Sequence, residues 1–327
     1  HLNGIAAQLK SQNPFITEHH CISHRLALAC EDAAESIPYM HTYNKIVGNL
    51  YTYFSRSYEC METLKMVEKL LDDPDLHLLR IVKTRWLSLS NVVSNLHRIL
   101  DSVVNALFLD SKTEKVAQSL LDSIDQTFYI TTNFLADILG NLKRLTLSFQ
   151  SEHISLTEIK LQIATVIQTI NESFIGTENF SPTWGYHLRT YLQTNDLASE
   201  DIPDFIQQFA IATIENLNRQ FPDRKILNAF SIFDPQNLLE KESLSDYGND
   251  EIYILANYYG KEKTSKDLIQ EWNFVRILLK NFASLKLLDA WKALYQKIPN
   301  FSVLYPNSYK IVELFLILPL SNAVVER

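Results

Sequence analysis

Apolar residues recur along this chain at helical spacing almost throughout. From Ser23 they fall at Leu26, Ala29, Ala33 and Ile37, and beyond Pro38 at Tyr43, Ile46, Val47, Leu50 and Phe54. Steps of three and four place such residues on one helix face, and Pro38 predicts a break between two helices. Before them, Gly4 to Lys10 reads as a short helix, closed by Pro14, and Phe15 to Cys21 is short enough for a single strand. Thr63 to Leu71 predicts another helix, ended by Asp72-Asp73-Pro74. A long one starts near Ser88 or Ser90 and carries Val92, Val93, Leu96, Ile99, Leu100, Val103, Val104 and Leu107.

Further on, the pattern predicts helices over about Lys115 to Tyr129 and Phe134 to Phe149. Ser155 and Glu158 have capping-box spacing ahead of the stripe Ile159, Ile163, Val166, Ile167 and Ile170. Ser181-Pro182 reads as a cap followed by a first-turn proline, and Asp201-Ile202-Pro203 opens a helix with Phe205, Phe209, Ala212 and Leu217. Phe221 to Asp250 is the least periodic region and reads as an ordered connection or surface loop. Helices then follow over Glu251 to Tyr259, Ser265 to Phe282 and Ser284 to Lys297, and from Tyr305-Pro306 to Leu318.

Composition agrees with a mainly α fold. Seven glycines in 327 residues leave few tight turns. The formal net charge of -8 argues against a surface that coats DNA everywhere and leaves room for a local basic face. Leu76 to Leu100 is such a place, with Arg80, Lys83, Arg85 and Arg98 and no acidic residue. Three cysteines, Cys21, Cys30 and Cys60, cannot all pair, which fits a thiol-containing intracellular protein. No apolar run approaches the ~20 residues of a membrane span. Without an initiator Met, and ending inside a motif, the chain reads as a fragment of something longer.

Two local patterns carry candidate chemistry. Cys21 and His24 have zinc-ligand spacing, with His19 and His20 beside them; no second Cys/His pair supplies the rest of a tetrahedral site, and the other reading is a packing motif at a strand-to-helix junction. Arg85-Trp86 suits a DNA contact, the indole stacking on an unpaired base and the arginines neutralising phosphates. It suits equally a core tryptophan with Arg85 paired to an acid.

Three stretches resemble hAT-superfamily transposases: Asn3-Gly4-Ile5-Ala6-Ala7 leading to His20-Cys21-Ile22-Ser23-His24-Arg25-Leu26-Ala27-Leu28-Ala29; Thr84-Arg85-Trp86-Leu87-Ser88; and Leu318-Pro319-Leu320-Ser321-Asn322-Ala323-Val324-Val325-Glu326-Arg327. Phe233-Asp234-Pro235 and Tyr247-Gly248-Asn249 resemble the zinc-finger-protein-like subgroup of hAT relatives. The resemblance implies an RNase H-like core interrupted by a large all-helical insertion. Here that divides the chain into a partial core at 1–58, the insertion at 59–300 and a return to the core at 301–327. It implies a site of two aspartates and one glutamate holding Mg2+ or Mn2+ in the intact parent, two metals clamping the attacking and leaving oxygens of a phosphodiester.

In that scheme Glu326 is the third carboxylate and the metal ligand, and both aspartates fall upstream of His1. This chain alone is therefore expected to bind no metal pair and to be inactive. Arg80, Lys83, Arg85, Trp86 and Arg98 become DNA-binding candidates, with Trp86 matching the tryptophan that engages a flipped base. Cys21 and His24 become a family motif. Trp272, Trp291 and Tyr295 fall in a region resembling the hAT dimerisation segment, though they suit ordinary core equally. The expected partners are DNA at transposon ends and a second copy or higher oligomer, in the nucleus, with no membrane and no small-molecule substrate. The alternative is a non-catalytic nuclear module for protein or DNA interaction, derived from a transposase.

Overall fold

The computed structural model describes residues 5–13, 21–81, 86–150, 155–176, 181–239, 243–259 and 262–317. Among them all regular structure is helical, so the chain is mainly α. The strand expected at Phe15 to Cys21 lies outside the described residues, save Cys21. The α-helices in order are α1 (Ile5–Gln12), α2 (Ile22–Glu35), α3 (Pro38–Arg56), α4 (Tyr58–Leu70), α5 (Trp86–Asp110), α6 (Lys115–Asp122), α7 (Gln126–Phe149) and α8 (Leu156–Ile170). They continue as α9 (Tyr186–Thr194), α10 (Asp204–Gln220), α11 (Lys225–Ala229), α12 (Asn249–Tyr259), α13 (Glu262–Lys280), α14 (Leu287–Lys297), α15 (Phe301–Leu304) and α16 (Pro306–Leu316).

The helices form two compact units. One comprises Ser23–Ser151 and Leu161–Phe221; the other comprises His1–Ile22, Glu152–Lys160 and Pro222–Arg327. In the first, α5 and α7 pack along each other, with α4, α6, α9 and α10 around them. The apolar stripe of α3 is buried as its spacing demands: Tyr43, Val47, Leu50 and Phe54 are all inside. Tyr43 stacks on Phe128 at 5.0 Å, and its hydroxyl shares a hydrogen bond of 3.2 Å with Thr132. Phe134 meets Phe174 and Phe209 edge-on.

Local chemistry sets several boundaries. Pro38 occupies the first turn of α3, where its missing N–H costs nothing. The helix expected through Lys115 to Tyr129 is instead two. Asp125 accepts the Phe128 N–H at 2.8 Å and starts α7 there, so the chain turns between Asp122 and Gln126. The expected Ser181 cap is likewise displaced. The helix there begins at Tyr186, and its free amides are met by Asp137 of α7, whose carboxylate accepts the N–H groups of Tyr186, His187 and Leu188 at 3.0 to 3.2 Å.

The second unit is built around two tryptophans. Trp272 and Trp291 are fully buried, and their indole N–H groups donate to Tyr247 O at 3.0 Å and Phe233 O at 2.9 Å. Both acceptors belong to the region that reads as an ordered connection or surface loop. It is ordered and supplies core, with Phe230, Ile232, Phe233 and Leu238 buried. The periodicity fails because α11 gives way to two short 3-10 turns, in which no regular stripe persists. The Ser155 box forms as its spacing requires: Glu158 N–H donates to Ser155 Oγ at 3.1 Å, and Ser155 N–H to Glu158 Oε2 at 2.8 Å. Glu271 closes the start of α16, accepting the N–H groups of Asn307 and Ser308.

Candidate nucleic-acid interface

Helix α3 has a second face. His41, Lys45, Gly48, Thr52 and Arg56 follow one another in steps of three or four, on positions away from the buried stripe. From Ser36 to Tyr58 there is no Asp or Glu. The wall opposite comes from the irregular segment 73–81 between α4 and α5. Two hydrogen bonds hold it along α5: Ser102 Oγ donates to Asp73 Oδ2 at 2.7 Å, and Asn95 Nδ2 donates to His77 O at 3.0 Å. Its later residues pair with earlier positions of α5, so it runs antiparallel to that helix. Arg80 and Ile81 then meet α3 and close a cleft of about 680 Å³.

The cleft is electropositive by composition. His41, Lys45, Arg56 and Arg80 line it, and among the described residues no carboxylate does. Lys45, Arg56 and Arg80 make no ion pair among the described residues. Cations gathered on one surface and left unpaired raise the local potential and attract polyanions. The floor is open at Gly48, where an added Cβ would meet no atom within 4 Å.

Of the DNA-binding candidates, Arg80 lies in this cleft. Arg98 is exposed on α5 and is not part of the cleft lining. Lys83 and Arg85 lie outside the described residues, and Trp86 is described only as the first residue of α5. Glu326 also lies outside them. Cys21 is half-buried ahead of α2, and His24 is exposed within it. Arg25, beside His24, is buried over the Phe221 ring at 4.5 Å from its centre. His41, Lys45 and Arg56 belong to no sequence motif. Their signal in the sequence is a second acid-free window, Ser36 to Tyr58, like that of Leu76 to Leu100.

A neighbouring cleft of about 660 Å³ shares Thr52 and Arg56 but includes Glu114, Val116 and Leu120. Tyr53 lines it and donates to Asp110 Oδ2 at 2.9 Å. Burial, with the Cys60 and Asp110 contacts, pushes its phenol far above the usual range, so it stays protonated.

Two further titratable groups lie in the same unit. His97 Nε2 is 3.0 Å from Asn133 Oδ1, and its ring meets His187 edge-on with centres 4.3 Å apart. Asn133 Nδ2 is committed to Tyr129 O, so its oxygen accepts and His97 Nε2 carries the proton. Burial first, then His187, pulls the His97 pKa below its ordinary value. Glu68 is buried with Oε1 unpartnered, and burial, then Asp75, raises its pKa to about 7.

Among the described residues, no group of three or more His, Cys, Asp or Glu side chains could hold a metal ion. Glu326, the carboxylate that the resemblance assigns to a divalent-metal site, lies outside the described residues. No described helix is long and apolar enough to cross a membrane. Compared with family models, curated proteins and solved structures, the chain matches none.

Proposed function

We propose that this chain is the DNA-handling portion of a hAT-like transposase or of a domesticated derivative. One observation carries the reading. In a chain of net charge -8, two acid-free windows converge on one cleft, where three side-chain cations make no ion pair among the described residues. Phosphodiesters are the polyanion that such a cleft suits. The hAT-like motifs support the same reading from the sequence, and on it Glu326 is the carboxylate this chain brings to an RNase H-like strand-transfer site. Self-association as a homodimer and a nuclear location belong to the same proposal.

The test is binding of labelled DNA at several salt concentrations. Affinity should fall as salt rises, with a slope of about -0.9 per phosphate neutralised on duplex and about -0.7 on single strands. Lys45→Ala and Arg80→Ala should each weaken binding and flatten that slope. A folded chain that binds no DNA, or binds it regardless of both residues, sinks the proposal.

A second reading, a non-catalytic interaction module, is favoured by the apolar side chains that the second unit leaves exposed. Phe274, Ile277, Val303 and Leu304 are each more than half exposed. In the intact parent, loss of strand transfer in Glu326→Gln separates the enzyme from the module.

A further inference from the structure

We propose that the cleft between α3 and Arg80 seats one or two nucleotides of an unpaired strand, and not the flank of a double helix. This rests on the DNA-handling reading and adds the form of nucleic acid that the cleft takes.

Size is the first argument. A volume of about 680 Å³ is that of a cleft for a small ligand. A duplex, whose major groove alone is ~12 Å wide, presents nothing that fits inside it except a base turned out of the stack. Duplex recognition would use a broad surface and would leave this hollow empty.

Lining chemistry is the second. Tyr51 and Ile81 place aromatic and apolar surface beside the cations. Grooves for single strands combine these two elements, cations along the backbone and rings on which bases stack.

Gly48 is the third. Glycine in the middle of a helix is unfavourable relative to alanine, because it gives up more backbone freedom. Here neither a positive φ nor a crowded neighbour requires it, since a Cβ would stand in open space. What its bare face provides is room in the cleft, so that a strand approaches the helix backbone closely.

The experiment measures anisotropy of a labelled single strand of about ten nucleotides, within the usual site sizes of such grooves, and of its duplex. Wild type is compared with Gly48→Leu, Lys45→Ala and Arg80→Ala, with Lys65→Ala on α4 as a cation outside the cleft. Thermal melts check folding. The single strand should bind at least about tenfold more tightly than the duplex, and Gly48→Leu should remove about tenfold or more of that affinity. Lys45→Ala and Arg80→Ala should each lower the single-strand salt slope by about 0.7, with Lys65→Ala unchanged. Should Gly48→Leu fold poorly, Ile81→Asp sets a carboxylate in the same volume from the other wall.

Equal affinity for duplex overturns the inference. So does full binding by Gly48→Leu while Lys45→Ala is weakened, and in both cases the DNA-handling reading stands. Displacement of the strand by polyglutamate of matched charge, at equal concentration, shows a cleft that reads charge alone and also overturns it. Absence of any cleft-dependent DNA binding removes both proposals.

Discussion

Asp137 and His187 are joined by a hydrogen bond of 3.0 Å from the His187 N–H to the carboxylate, across fifty positions of sequence. The same carboxylate serves Tyr186 and Leu188, so one side chain of α7 caps the whole first turn of α9. Asp137→Ala should cost about 1–2 kcal/mol or more, since the helix loses its cap and its macrodipole loses a nearby anion. Gly185 is tied to the same arrangement. It has φ of +70°, and a Cβ there would stand 2.5 Å from Asp137 Oδ2. Gly185→Ala should therefore destabilise as well. Urea unfolding with an unchanged m-value is the measurement; two variants with wild-type midpoints would refute the capping account.

His97 gives the first unit a dependence on acid. Its pKa in the fold is below the ordinary 6.5, so the unfolded chain binds the proton more readily. Its contribution to stability is present above pH 6.5 and is lost as pH falls through the folded value. His97→Gln, which keeps a donor for Asn133, should flatten that part of the profile. A variant with the same loss between pH 7 and 5 as wild type would count against the assignment.

Glu68 acts in the opposite sense. With its pKa raised to about 7 from 4.5, the folded state holds the proton more tightly than the unfolded chain. Stability is greatest where Glu68 is protonated and falls as pH rises through that interval. Glu68→Gln should be more stable than wild type at pH 8 and close to it at pH 5. The two groups partly cancel near pH 6, so each is read cleanly only in the single variants.

The helices were legible because each repeats its apolar stripe over several turns, and the Ser155 box because both partners sit within one turn. Asp137 was not legible as a cap, since nothing near Ser181 records that α7 supplies the acceptor. The region Phe221 to Asp250 concealed its burial for a related reason: short 3-10 turns bury Phe233 and Leu238 without a period to betray them. Arg80 was found from the absence of acids around it. Lys45 and Arg56 were hidden on a helix whose apolar face was the stronger signal.

Gly248 holds the Tyr247 carbonyl against Trp272. Its φ is +74°, and a Cβ would come within 2.9 Å of the indole. Gly248→Ala combines left-handed strain with a clash against an immobile ring, and should cost about 1–3 kcal/mol. Tryptophan fluorescence of the folded variant should shift to longer wavelength as packing around Trp272 loosens. An unshifted spectrum and an unchanged melting temperature would contradict this.

Phe274 and Ile277 stand one turn apart on α13, exposed, with Phe274 facing Tyr305 at 6.5 Å between ring centres. If self-association uses this face, light scattering at micromolar concentration should give a multiple of the chain mass, and Phe274→Asp should return it to one. A wild-type monomer would end the dimer proposal.

The nesting of the two units has a bearing on synthesis. The first is complete at Phe221, whereas the second draws on three separated stretches and needs α16 before its core can close around Phe315. On the ribosome the first unit is thus free to fold while Leu156, which packs against that core, waits for partners not yet made. Leu156 is then exposed for as long as the remaining third of the chain takes to emerge, an interval in which a chaperone would have the most to bind.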